Sequence, residues 1–155
     1  MHTLARNITN QMAKKVNTEF GETFTYNKIY FGKIQTVTDT STQAVTIEQF
    51  IEGGPFVKYM NNTGDILCDR TLPVVEKAEA LAHFSYHVSK QKFLLIDFQG
   101  IEYDLCDPEI ASAELTTKDN GGEKLNFCIG NLSTSAIDRF FEQHKRQIGT
   151  ANSSA

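Results

Sequence analysis

A short apolar run that ends in a carboxylate constrains this chain more than any other feature. Leu-Leu-Ile at positions 94–96 leads into Asp97, Gln99 and Gly100, and a second acid follows at Asp107. Such a run predicts a buried strand, with Asp97 at its end and Asp107 on the loop beyond. Acids at strand ends commonly hold metal ions and phosphate groups in α+β enzymes, although they also serve as strand caps and turn residues.

Composition limits the classes of protein to which the chain can belong. With 155 residues, 40% of them hydrophobic, the chain is long enough for one domain with a modest core. The net charge of -4 argues against a nucleic-acid partner. No apolar run approaches the roughly 18 residues that cross a bilayer, and the start of the chain lacks a signal-peptide pattern. The three cysteines form no CxxC pair, so we predict free thiols in a cytoplasmic protein without a membrane partner.

Periodicity and capping residues predict three helices. An apolar residue at every fourth position over 4–20 indicates an amphipathic helix, which Gly21 ends. Thr71 is placed to cap the second helix, and Ser135 and Asp138 have the spacing of a capping box at the start of the third. The second helix is predicted over 71–86 and the third from 133–135 onward.

Strands and turns fill most of the remaining chain and predict an α+β fold. Because a helix comes first and strands only follow it, we expect the chain to begin inside a larger fold. The strands are predicted at 29–31, 34–37, 44–50, 56–59 and 93–98, with polar turns at 39–43, 52–55 and 61–64. Residues 113–124 are predicted to be irregular, and residues 149–155 to form a disordered tail.

Asp97, Gln99 and Asp107 form the strongest chemical constellation. Phosphoryl transfer needs oxygen ligands for Mg²⁺ and a carboxylate near the attacking hydroxyl, and these three side chains can supply both. The alternative interpretation is that Asp97 only caps a strand and Asp107 only lies in a turn. The motif on its own favours this alternative over a catalytic site.

Three smaller features carry weaker signals. His83 and His87 lie four residues apart on a predicted helix and could share a metal ion, but the segment lacks HExxH and surface histidines are the commoner explanation. Gly130 and Asn131 precede the last helix and could bind an anion through backbone N–H groups, or form an ordinary turn. Lys58 flanks apolar residues on a predicted strand, where a solvated charge is the usual interpretation.

Taken together and in order, these pieces resemble the C-terminal two-thirds of the alpha-kinase domain, which defines an atypical family of Ser/Thr protein kinases. The resemblance runs from about Ile8 to His144 and rests on the number, order and spacing of short segments. The matching segments are 11–20, 47–53, 56–64, 82–86, 97–100, 106–110, 129–132 and 140–145.

The resemblance implies a fold, a reaction and a role for each matching residue. The fold would be an α+β, two-lobed kinase-like fold with mixed or antiparallel sheets and packed helices, in which residues 1–60 form an incomplete N-lobe and residues 61–148 the C-lobe. The reaction would be Mg-dependent transfer of the γ-phosphate of ATP to Ser or Thr of a protein substrate, with Asp97 as the catalytic aspartate that orients or deprotonates the hydroxyl. The other implied roles are Mg²⁺ ligands for Gln99 and Asp107, nucleotide-cleft residues for Glu48, Lys58 and Asn62, substrate-loop residues for Gly130 and Asn131, and two of four zinc ligands for His83 and His144.

Three departures from the family pattern weigh against catalysis. The family's ATP-gripping lysine and phosphate loop lie upstream of the first helix, and Lys14 and Lys15 cannot replace them. Both cysteines that complete the family's zinc site after His144 are absent, so we do not expect the histidine pair to hold structural zinc. Cys128 and Ser133 replace glycines that flank the family's substrate loop.

Two functions therefore remain open at the level of sequence. One is an active alpha-kinase that uses ATP, Mg²⁺ and a protein substrate. The other is a non-catalytic kinase-like fragment or pseudokinase that acts as a binding module. A metal-dependent hydrolase that uses the two aspartates and His83 is disfavoured, because the family geometry separates the histidines from the aspartates.

Overall fold

Three helices form where the sequence predicts them. The computed structural model describes residues 1–35, 42–113, 115–116, 124–125 and 134–151. The helices are α1 (His2–Phe20), α2 (Pro73–Val88) and α3 (Thr134–Ala151). Gly21 ends α1 with a φ of 63°, a conformation that glycine adopts without a steric penalty.

The cap predicted for the second helix is wrong. Leu72 precedes α2, and its aliphatic side chain cannot make a capping hydrogen bond. Pro73 in the first turn favours the start of the helix, because its fixed φ suits that position. Thr71 lies one residue before Leu72, where its hydroxyl and its backbone N–H both donate to Oδ1 of Asp69 at 2.8 and 2.9 Å. α3 begins at Thr134, so Ser135 lies in its first turn, and the capping box predicted with Asp138 stays a prediction.

Ten short strands build four small sheets in the described part of the chain, and all but one of the strand pairs are antiparallel. The largest sheet has the order β1-β7-β6-β4, in which β1 and β7 are parallel; β2 pairs with β3, β5 with β8 and β9 with β10. The strands are β1 (Thr25–Tyr26), β2 (Ile29–Gln35), β3 (Thr42–Glu48), β4 (Val57–Lys58), β5 (Phe93–Ile96), β6 (Gln99–Ile101), β7 (Asp104–Cys106), β8 (Glu109–Ser112), β9 (Leu115–Thr116) and β10 (Lys124–Leu125).

The α+β fold class is confirmed, while several strand bounds differ from the prediction. The strand predicted over 93–98 ends at Ile96, and a new strand begins at Gln99. The segment predicted to be irregular contains β9. α3 extends to Ala151, so the tail predicted from Gly149 begins within a helix, and residues 152–155 lie outside the described part. The division into lobes near residue 60 stays a prediction.

The core lies between the helices and the β5–β8 pair. Leu94, Leu95 and Ile96 are all fully buried, which explains why β5 is a continuous apolar run and does not alternate. Ser85 joins α2 to this strand, because its Oγ accepts from the backbone N–H of Leu95 at 2.8 Å while donating to the carbonyl of Ala82 at 2.6 Å. None of the helices, over the residues described, is long and apolar enough to span a membrane.

Candidate active site

Asp97 lies in a tight turn between two strands of different sheets. Its φ of 59° is left-handed, which is uncommon for a residue with a side chain and persists only where the surroundings hold it. The backbone N–H of Asp97 donates to the carbonyl of Asn61 at 3.3 Å. The next carbonyl, of Phe98, accepts from the backbone N–H groups of Tyr59 and Met60 at 2.8 and 3.2 Å. Residues 59–61 therefore clamp the turn, and the Asp97 side chain is almost fully buried.

Lys58 and Gln99 flank the Asp97 carboxylate on its two oxygens. The two flanking residues face each other in the antiparallel β4–β6 pair, which places both side chains beside the turn. Nζ of Lys58 lies 2.8 Å from Oδ1 of Asp97, and Nε2 of Gln99 donates to Oδ2 at 3.3 Å. The carboxylate is therefore held by a cation on one side and by an amide on the other.

Asp107 and Glu109 bring two further carboxyl groups to the same region. Asp107 follows β7 directly and has a left-handed φ of 45°. Burial raises the pKa of Glu109, and the negative charges of Asp97 and Asp107 raise it further, while Lys58 opposes them. Oε2 of Glu109 is buried and has no hydrogen-bond partner among the described residues. Glu109 has no role among those predicted from the sequence, although it lies two residues after the predicted ligand Asp107.

The packing around Gly100 leaves no room for a side chain at this position. A Cβ atom at this position would lie 1.9 Å from the backbone carbonyl oxygen of Asp104, in the neighbouring strand β7. The β6–β7 hairpin therefore closes only around a residue without a side chain. β6 also carries Gln99. The close approach of Gly100 to Asp104 therefore fixes the position of the strand from which the side-chain amide of Gln99 reaches Asp97.

An open cleft of about 500 Å³ lies next to these polar groups. Its lining is mostly apolar, and Glu48 stands at the end of β3 as its acidic member. Cys106 joins the cleft to the polar site: it lines the cleft, and in the sheet it pairs with Gln99. The lining residues are Glu48, Gln49, Phe50, Ile51, Gly54, Phe56, Ile101 and Cys106.

The structure brings some predicted site residues together and separates others. Lys58, Asp97 and Gln99 are in contact, whereas Glu48 lines the cleft, with Oε2 lying 3.4 Å from Nε2 of His2. Asn62 lies half-buried in the turn beside the site. The neighbouring Asn61, which we did not select from the sequence, supplies the carbonyl that accepts from the backbone of Asp97.

Comparison with known proteins identifies the family. The sequence model of the Alpha-kinase family matches residues 1–148. This chain belongs to the alpha-kinase family. The resemblance seen in the sequence motifs is thereby confirmed.

Individual alpha-kinase relatives match only over part of their length. The chain is 31% identical over 106 residues to the mouse transient receptor potential cation channel subfamily M member 6, covering 68% of this chain and 5% of the channel protein. It is 33% identical over 92 residues to myosin heavy chain kinase A of Dictyostelium discoideum, covering 59% of this chain and 7% of that kinase.

Solved alpha-kinase domains share the fold. The apoenzyme alpha-kinase domain of myosin-II heavy chain kinase A superimposes with a TM-score of 0.70 at 23% identity, covering 93% of this chain and 53% of that domain. An inactive form of the same domain in complex with ATP gives a TM-score of 0.68 at 22% identity, covering 90% of this chain and 49% of that domain. The chain thus spans about half of the solved domains.

The two histidines for which the family resemblance predicts a zinc-ligand role lie side by side. The ring centroids of His83 and His144 are 4.3 Å apart, and Nδ1 of His144 lies 3.8 Å from Oε1 of Glu79. Burial lowers the pKa of His83, the charge of His144 lowers it further, and Glu79 opposes both. His87 is exposed. Across the described ranges no group of three or more His, Cys, Asp or Glu side chains is placed to hold a metal ion. That the histidine pair holds no structural zinc stays a prediction.

The predicted substrate loop lies in the part of the chain that the structure does not describe. Gly130 and Asn131, together with the replaced positions Cys128 and Ser133, lie outside the described residues. Their implied role near the substrate stays a prediction.

Proposed function

We propose that this chain carries the catalytic aspartate of an atypical Ser/Thr protein kinase that uses ATP and Mg²⁺. The observation that supports this most is the buried Asp97 carboxylate, held between Lys58 and Gln99 at the edge of an apolar cleft. A carboxylate fixed in this way can accept the proton of a substrate hydroxyl or orient that hydroxyl for attack. Lys58 places its side-chain ammonium group beside the carboxylate, where phosphate oxygens would also be attracted.

The oxygen donors near Asp97 fit the ligand preferences of Mg²⁺. Gln99 directs its amide nitrogen at Asp97, which leaves its carbonyl oxygen for another partner. Together with the carboxylate of Asp107 it supplies hard oxygen ligands of the kind that magnesium takes in phosphate-transfer sites. When bound, the ion would neutralise charge on the phosphate oxygens. Gln99 and Asp107 are the residues that would hold it.

The apolar cleft fits the flat ring system of an adenine base. Phe50 and Phe56 line it and are 81% and 60% exposed, so their rings are available for contact. Burying aromatic and aliphatic surface against a base is a general source of nucleotide affinity. Glu48 at the rim would contact the nucleotide through its carboxylate. The free thiols of Cys68 and Cys106 agree with a cytoplasmic setting for such an enzyme.

The proposal is tested by measuring binding and transfer separately. Calorimetry with Mg-ATP should give a dissociation constant tighter than about 1 mM, and incubation with a degenerate Ser/Thr peptide pool should give phosphopeptide. Asp97→Asn should reduce transfer by about 100-fold or more, while nucleotide affinity changes little. Asp138→Asn, at an exposed position of α3, is the matched control and should leave both unchanged.

The second candidate is a kinase-like binding module without catalysis. The loss from the sequence of both cysteines that complete the family's zinc site favours it, as do Cys128 and Ser133 in place of loop glycines. Nucleotide binding without any phosphopeptide would support this second function. The absence of both binding and transfer would contradict the proposed kinase.

A further inference from the structure

A hydrogen-bonded turn joins the Asp97 site to helix α3. The turn consists of residues 61–65, and Asn61 takes part in most of its hydrogen bonds. Oδ1 of Asn61 accepts from the backbone N–H groups of Thr63 and Asp65 at 3.0 and 2.8 Å, while its backbone carbonyl accepts from the N–H of Asp97 at 3.3 Å. The conformation of this turn therefore decides where the carbonyl that holds Asp97 lies.

Asp65 connects this turn to α3 through both carboxylate oxygens. Oδ2 accepts from Nδ2 of Asn61 at 3.2 Å and from Oγ1 of Thr63 at 2.5 Å. Oδ1 accepts from Nε of Arg139 at 2.7 Å and from Nε2 of Gln143, both on α3. One side chain thus fixes the turn internally and binds it to a helix that lies more than seventy residues away in sequence.

Direct packing reinforces the same junction. Gly64 in this turn has a φ of 82°, and a Cβ atom added there would lie 3.0 Å from Cβ of Phe140 and 3.2 Å from the carbonyl oxygen of Ala136. The turn and α3 are therefore in van der Waals contact at the backbone. The side-chain oxygen of Gln143 also has a partner, because Oε1 accepts a hydrogen bond from the Arg70 guanidinium at 3.3 Å.

We propose that Asp65 is a positioning residue for Asp97, which it couples to α3 through Asn61, Arg139 and Gln143. The inference rests on the proposed function of Asp97. In this chain α3 lacks the cysteines that complete the family's zinc site, so side-chain hydrogen bonds and packing fix the helix against the turn. Displacing α3 would free the turn, loosen the Asn61 carbonyl and release Asp97 from its left-handed conformation.

The test removes the hydrogen bonds that α3 donates to Asp65 and measures the exchange rate of the Asp97 backbone amide. Arg139 is exposed, so the double variant Arg139→Met and Gln143→Leu should keep the helix, which circular dichroism verifies. Hydrogen exchange of the Asp97 amide, followed by NMR, should become about tenfold faster or more. Glu142→Gln, on the same helix and exposed, is the matched control and should leave the exchange rate unchanged. Arg139→Lys, with Gln143 unchanged, should keep part of the protection, because the lysine ammonium keeps a positive charge and N–H donors for Asp65.

The enzymatic measurement provides a second and separate outcome. If the chain transfers phosphate, the double variant should lower kcat by about tenfold while the KM for ATP stays within about twofold, since none of the described residues that line the apolar cleft belongs to α3 or to the turn. Unchanged Asp97 amide exchange in the double variant would overturn the positioning role. Faster exchange in a chain that transfers no phosphate would support the coupling and contradict only the proposed kinase activity.

Discussion

Nζ of Lys58, on β4, lies 2.8 Å from Oδ1 of Asp97, in the turn that precedes β6. The two groups differ in their surroundings, because the aspartate side chain is 8% exposed and the lysine side chain 40%. A buried carboxylate needs a partner far more than a half-exposed ammonium does. The ion pair therefore serves mainly to hold the carboxylate in place, and it leaves the half-exposed lysine within reach of a ligand.

Lys58→Met should impair both folding and transfer. The substitution keeps the aliphatic stem but leaves Asp97 buried without its cation, so we expect the free energy of unfolding to fall by about 1–3 kcal/mol. Phosphate transfer should fall by about 100-fold, because a preorganised charge is lost from the site. Urea unfolding and the peptide assay measure the two effects. Lys33→Met, at an exposed position of β2, is the control. Equal behaviour of the two variants would contradict the importance of the ion pair.

Gly100→Ala should be the most damaging small substitution near the site. The new Cβ would meet the carbonyl oxygen of Asp104 at 1.9 Å, and a backbone atom cannot move aside without opening the hairpin. We expect a loss of about 3 kcal/mol or more in the free energy of unfolding. Gly32→Ala is the matched control in a strand, since its Cβ would meet a rotatable side-chain methyl of Val45 at 3.2 Å. That variant should change stability by no more than about 1 kcal/mol. Similar losses in the two variants would show that the hairpin is not closed at Gly100.

The contribution of Asp65 to stability should depend on pH. Partial burial raises its pKa, but the hydrogen bonds that its carboxylate accepts outweigh this and hold the pKa well below the ordinary value. A depressed pKa stabilises the fold above the unfolded-state value of about 3.9, and the contribution is lost as the pH falls from there toward the folded-state pKa. Asp65→Asn should therefore be less stable than the native chain by about 1–3 kcal/mol at pH 7, with a smaller difference at pH 3.

Urea unfolding at the two pH values measures this difference. Asp138→Asn serves as the control for the loss of one exposed negative charge. A stability difference between the native chain and Asp65→Asn that is the same at both pH values would show that the ionised carboxylate is not the stabilising form.

His83 and His144 should not hold structural zinc. The rings are in contact, but two imidazoles supply only half of a four-coordinate site, and Glu79 already lies near His144. We expect far less than one zinc ion per chain by mass spectrometry, and a melting temperature that a chelator shifts by no more than about 1 °C. The variant with Arg146→Cys and Thr150→Cys restores the family pattern and is the comparison for zinc uptake. Stoichiometric zinc in the native chain would contradict the prediction.

Local pattern was sufficient to predict the helices and the buried strand β5. The four-residue spacing over residues 4–20 indicates the core-facing stripe of α1, in which Ile8 and Met12 are buried and Phe20 at the end is exposed, and the run at 94–96 indicates a strand covered on both faces. These signals are local because each depends on the burial of one element's own face. The order and spacing of the motifs were likewise sufficient to predict the family, which the match over residues 1–148 confirms.

The sequence by itself determined the family and fold class, the three helices and the apolar strand that leads to Asp97. Only the tertiary structure decided the left-handed turn at Asp97, the ion pair with Lys58 and the junction of Asp65 with Arg139. Asp65 and Arg139 are 74 positions apart, and neither has a neighbour in sequence that reveals the other. Helix and strand patterns record burial within one segment, whereas a hydrogen bond between distant segments exists only once the whole chain has packed.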